Sequence, residues 1–230
     1  MNPVNFIDLL SFGGKIPPVI VGTWLVMAIL LTFAVMARRS LAKAADPGLT
    51  DDTVTLLSFS EVMTEGMATF GKDLLGEHDL NSYIGFFGTL FLFILTANLL
   101  GLVPGMEPPT SDTDLTWALA IICFIYYIYH GFKHRGFVGY LKSFIGPLWW
   151  LSWFMVMIEV IDNVARPFSL GIRLFANMFA DHRVLGVFTG LTKLGLPVIF
   201  YALGSLVCVV QAFVFVLLAM IYVVMATHEH

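Results

Sequence analysis

Residues 165–183 read ARPFSLGIRLFANMFADHR, three arginines with an aspartate and a histidine set inside a long apolar segment. On a helix advancing about 100° per residue, Glu159, Asp162, Arg166, Ser169 and Asn177 fall within roughly 40° of Arg173. A polar stripe that narrow, kept up over about five turns, marks one chemically special helix face. Asp181 lies about 80° from Arg173 and His182 on the opposite side. A charge at the centre of a bilayer costs between about 2.5 and more than ~10 kcal/mol, so it belongs to a buried pair, an ion path or a water-filled cavity. Asp162 and Arg166 have the i, i+4 spacing of a helical ion pair. Arg173 has Ser169 four positions before it and Asn177 four after. Neither neutralises it, so its partner is expected on another chain.

The surroundings explain why that charge matters. Of 230 residues, 58% are hydrophobic and 12% charged, about half the charge of a soluble domain. The expectation is an all-α, polytopic integral membrane protein, one membrane domain over residues 1–230. Five crossings are expected, at residues 17–37, 82–103, 115–131, 146–190 and 196–226, each long enough to span a bilayer. An amphipathic surface helix is expected over residues 53–75, where Val54, Leu57, Val62, Met63, Met67, Phe70 and Leu74 line one side. The fourth segment would make roughly 67 Å of helix. No perpendicular crossing needs that length, so the last two helices should be steeply tilted, with Pro167 a natural place for a bend.

Basic loops, RRSLAK and FKHRGFVGYLK, follow the first and third spans, whereas the loop after the second, MEPPTSDTD, is acidic. The positive-inside rule then puts the N-terminus outside and the C-terminus in the cytoplasm.

Several function classes drop out. A net charge of −4 without a dense basic cluster gives no footprint for nucleic acid. Cys123 and Cys208 lie in apolar runs and read as small core residues; no metal-type spacing occurs, and no cofactor is expected. The opening MNPVNFIDLLSFGGK lacks the basic region and apolar core of a signal peptide. His130 and His134 share a helix face but flank a basic loop with no carboxylate between them, and the HEH at residues 228–230 reads as a solvated tail, which leaves an intramembrane hydrolase without machinery. Trp149, Trp150 and Trp153 suit an interfacial belt.

RPFSLGIRLFANMFADH, followed about 30 residues on by QAFVFVLLAMIYVVMATHEH, strongly resembles the subunit a family of bacterial F-type ATP synthases. NLLGLVPGMEPPT resembles it too, and the likeness covers nearly everything from Val54 onward. The resemblance implies a non-catalytic stator subunit of the Fo motor in the cell inner membrane, facing the ring of c subunits and held by the subunit b peripheral stalk. It implies that Arg173 is the essential charge opposite the ring carboxylate, with Asn177 one turn on and Gln211 and Tyr222 on the last helix. Glu159 and Asp162 would line the cytoplasmic half-channel. His182 would stand in the outer one, with Glu107, Asp112 and Asp114 near its entrance. One departure is plain: many relatives carry an ionisable residue in the last helix where this chain has Gly204 and Ser205. His182 then works with water, or pairs with Asp181, Asp112 or Asp114.

The competing reading is a secondary transporter whose intramembrane arginine binds an anionic solute. It would require inverted repeats with paired broken helices, and the first half of the chain has no counterpart of the arginine motif.

Overall fold

The computed structural model describes residues 17–43, 65–66, 69, 71, 77–103, 105–145, 152–191 and 196–228. Five long helices carry them: α1 (Pro18–Lys43), α2 (Glu77–Leu100), α3 (Thr113–Ile145), α4 (Ser152–Leu191) and α5 (Leu196–His228). There is no strand among the described residues, so the all-α polytopic expectation holds. Four of the helices are long and apolar enough to cross a membrane: α1, α2, α3 and α5. The fifth, α4, is the arginine helix, too rich in charge to qualify by composition. The surface helix expected over residues 53–75 lies outside the described residues except at 65–66, 69 and 71, where the Thr69 hydroxyl donates to the Glu65 carbonyl at 2.8 Å.

The boundaries follow local chemistry. Pro18 opens α1, where a missing N–H is no loss. α3 continues to Ile145, well past the expected end near 131, but its helical geometry breaks at Gly136, with φ 69° and ψ 162°. Only glycine takes that φ readily. α4 runs as one helix through Pro167 for 40 residues, so the proline does not divide it. The Ser169 hydroxyl donates to the Arg166 carbonyl at 3.0 Å, a side-chain bond beside the proline.

The connection from α2 to α3 is a compact plug. Met106 N–H bonds the Val103 carbonyl at 3.0 Å, with Gly105 at φ 86°, the position a type II turn reserves for glycine. A short 3₁₀ turn, Pro109–Ser111, follows. The Asp112 carboxylate then accepts the Asp114 N–H at 2.8 Å, capping the first turn of α3. The plug fits because two glycines receive it. A Cβ on Gly101 would stand 2.7 Å from Pro108, and one on Gly22 would stand 2.9 Å from Pro109.

α5 packs against α2, α3 and α4, and α1 leans on α2. The core joins Phe87 and Ile94 of α2, Cys123 and Tyr127 of α3, Leu170, Leu174 and Met178 of α4, and Cys208, Phe215 and Val216 of α5. Both cysteines are free and buried, as small core residues. Leu170, Leu174 and Met178 recur at i, i+4 and i+8, so the core draws on a strip of α4 roughly 100° round from Arg173. That offset leaves Arg173 at the surface of the chain.

Candidate functional site

α4 carries its polar groups in two clusters, with Arg173 between them. Arg173 is exposed, flanked on its face by Ser169, Ala176 and Asn177, which are exposed too. Among the described residues no carboxylate pairs with it. One turn on, Asn177 Nδ2 donates to Gln211 Oε1 at 2.6 Å. Gln211 is 4% exposed, so this bond brings the polar edge of α4 and the buried amide of α5 together beside the arginine.

The N-terminal cluster is an interlocked set. Arg166 Nη2 donates to Asp162 Oδ2 at 2.7 Å, and its Nε reaches the same oxygen at 3.2 Å. This is the i, i+4 pair expected from the spacing. The guanidinium is nearly buried while Asp162 stays half exposed, and it sits 5.7 Å from the centre of the Tyr222 ring on α5, a cation–π contact. Asn163, absent from the sequence-based site, is buried beside it. Its Nδ2 donates to the Glu159 carbonyl at 3.0 Å and reaches Glu159 Oε1 at 3.5 Å, and its Oδ1 accepts the hydroxyl of Tyr127 on α3. The only signal for it was a second amide beside Asp162.

The C-terminal cluster meets the plug. His182 lines a cavity of about 180 Å³ together with Glu107, Ser111, Asp112, Arg183 and the start of α1 at Pro18. Asp112 therefore stands near His182; Asp114 does not line this space. Arg183 lies over the Phe179 ring at 5.0 Å. On the other side His182 and Asp181 line a second, much smaller pocket with Asn98, Pro108 and Cys208. The missing side chain of the last helix is accounted for there: a Cβ on Gly204 would come within 3.0 Å of Asp181 Oδ2. The Asp181 carboxylate occupies the space beside α5 that a larger residue at 204 would take.

Comparison over the whole chain gives the family. The family model described as ATP synthase A chain matches residues 20–224. The chain belongs to the ATP synthase A chain family. The ATP synthase subunit a of Bdellovibrio bacteriovorus is 43% identical over 195 residues, 84% of this chain and 85% of the relative. That of Trichlorobacter lovleyi is 42% identical over 204 residues, 89% of this chain and 84% of the relative. That of Citrifermentans bemidjiense is 40% identical over 214 residues, covering 93% and 89%. As an ATP synthase A chain, the protein is a multi-pass membrane subunit of the proton-translocating Fo sector. The solute-transporter reading gives way to that membership.

The structure brings together most of the residues singled out in the sequence. Arg166, Asp162 and Tyr222 meet, Asn177 meets Gln211, and Asp112, Asp181 and His182 gather around the plug. Ser169 bonds its own helix, and Asp114 serves the start of α3. Besides Asn163, the sequence reading missed Asn98 and Thr110, which bond each other in full burial. A lone amide inside the apolar run LTANLLGLV was the signal for Asn98.

Proposed function

We propose that this chain is the stator of a rotary proton motor, with Arg173 as a fixed positive charge facing the carboxylates of a ring of c subunits. Arginine does not release its proton in a protein, so Arg173 is no relay. An ionised ring carboxylate opposite it is favoured, because opposite charges a few ångströms apart attract strongly where water is scarce. The same charge keeps a proton from passing straight across. Each proton then enters by one half-channel, rides the ring and leaves by the other. At about 2.3 kcal/mol per charge per 100 mV, offset half-channels convert that drop into rotation and ATP synthesis.

In this reading the outer half-channel runs from the cavity of Glu107 and Asp112 past His182 and Asp181 to Asn177 and Gln211. The cytoplasmic one runs by Ser169, Asp162, Glu159 and Tyr222. Carboxylates suit both routes, and a histidine the outer one, because their charge changes readily. The subunit b stalk holds the stator still, the N-terminus lies outside the inner membrane, and the C-terminus lies in the cytoplasm. α4 and α5 are steeply tilted, because 40 and 33 residues make about 60 and 50 Å of helix.

One observation carries the reading: Arg173 stands exposed on a helix face with no carboxylate beside it among the described residues. The test compares wild type and Arg173→Ala in vesicles holding the assembled complex. ATP-driven acidification should vanish while the complex still assembles, and residual passive flux would report intact but uncoupled half-channels. Normal pumping by the variant would reduce Arg173 to a structural charge and sink the proposal.

A further inference from the structure

We infer that the small pocket between Asn98, Asp181 and His182 binds a single water molecule that relays a proton between the histidine and the aspartate, with Asn98 as the residue that holds it. The inference rests on the outer half-channel of the proposed function, and it assigns that route a step and a residue.

The structure turns the amide oxygen of Asn98 toward Thr110. Asn98 is 1% exposed and Thr110 fully buried, and the Thr110 hydroxyl donates to Asn98 Oδ1 at 2.7 Å. With the oxygen engaged by the plug, the NH₂ group is turned the other way. Its nitrogen is buried without a hydrogen-bond partner among the described residues. Buried amides without partners are rare in folded proteins because losing water without a replacement bond is unfavourable. His182 Nδ1 is in the same condition. Both residues line one pocket of about 10 Å³, shared with Asp181, Pro108 and Cys208. That is about the room one water needs, and a buried water takes two to four polar partners. Asn98 supplies a donor, Asp181 an acceptor, and His182 Nδ1 a group that gives or takes a proton.

A metal cation does not fit the same place. Asn98 presents N–H groups, which repel a cation, and among the described residues no group of three or more His, Cys, Asp or Glu side chains is clustered to hold one.

The pocket also lies where a relay is needed. His182 and Pro108 belong both to it and to the 180 Å³ cavity, so the imidazole forms part of the wall between the two spaces. On the far side, Asp181 is one turn from Asn177, and Cys208 one turn from Gln211. A proton on His182 passes to the water as the water gives one of its own to Asp181. Imidazolium becomes imidazole, carboxylate becomes carboxylic acid, and the water is regenerated. Gly204 makes this possible, since a side chain there would displace the Asp181 carboxylate.

Two measurements on the assembled complex test the inference. A map of the wild-type complex at a resolution that shows ordered water should contain a peak about 2.7–3.2 Å from Asn98 Nδ2, within the same reach of Asp181 and His182. A pocket without that peak, or one filled by a side chain, overturns the inference. In vesicles stripped of the ATP-hydrolysing sector, Asn98→Leu should cut passive proton flux roughly tenfold, the equivalent of one lost hydrogen bond. Asn98→Ser, which keeps a donor and leaves room for water, should retain most of the flux. Wild-type flux through Asn98→Leu would overturn the relay while leaving the stator reading to its own test, because that test reads ATP-driven acidification by Arg173→Ala in vesicles that keep the assembled complex. If Asn98→Leu fails to assemble, the wild-type map alone decides.

Discussion

Asn177 and Gln211 are joined by a 2.6 Å hydrogen bond that crosses from α4 to α5 one turn past Arg173. It fixes how the two helices present the arginine, because Gln211 is buried and has few alternatives. Gln211→Leu should lower the thermal stability of the solubilised complex by about 1 kcal/mol and reduce ATP-driven pumping more than its stability loss explains. A double-mutant cycle with Asn177→Ala should give a coupling energy of roughly 0.5–1.5 kcal/mol; a cycle with no coupling would show the two amides act independently.

Gly204 and Asp181 behave as a pair defined by space. A Cβ at 204 would meet Asp181 Oδ2 at 3.0 Å and Leu102 Cδ2 at 3.1 Å. Gly204→Ala should therefore assemble with reduced proton flux, and Gly204→Leu should largely fail to assemble. Adding Asp181→Ala to Gly204→Ala should relieve the crowding without restoring flux. Immunoblots of the complex beside flux measurements separate these outcomes.

The Asp162–Arg166 pair contributes through what its loss leaves behind. Asp162→Asn leaves a nearly buried guanidinium without its counter-ion. Because Asp162 is 53% exposed, water screens the pair, and the expected destabilisation is about 1–2 kcal/mol rather than the larger loss seen for fully buried pairs. Replacing both residues with leucine should be close to neutral for stability while impairing proton exit. Thermal melts of the two variants decide it, and equal losses would argue against the pair.

Gly101 admits the plug. A Cβ there would sit 2.7–2.8 Å from three atoms of the Pro108 ring, which is too stiff to yield. Gly101→Ala should displace the loop at a cost of about 1–3 kcal/mol. A cysteine placed at Ser111 should then be labelled faster by a water-soluble thiol reagent than in the wild-type background. Unchanged labelling would mean the loop adjusts.

The arginine motif was legible because it breaks a strong rule: an apolar helix does not carry Arg173, Asn177 and Asp162 on one face without a reason. The Asp162–Arg166 bond was legible for the same kind of reason, since i, i+4 spacing is local geometry. The end of α3 was not, because Gly136 interrupts the helical backbone while hydrogen-bonded helix resumes beyond it. Pro167, a place where a bend was expected, lies inside one continuous helix, Ser152–Leu191.

By itself the sequence determined the class of molecule, the helices and the singular charge, because hydrophobic length and helical periodicity are properties of neighbouring residues. Only the tertiary structure decided which groups from different helices meet. Asn163 gained its meaning from Tyr127 of α3, Asn98 from Thr110 and the C-terminal end of α4, and Asp181 from the bare backbone at Gly204. Such contacts depend on how far α2, α3, α4 and α5 are rotated and slid against each other. That packing is set by side chains distant in sequence, and no local pattern encodes it.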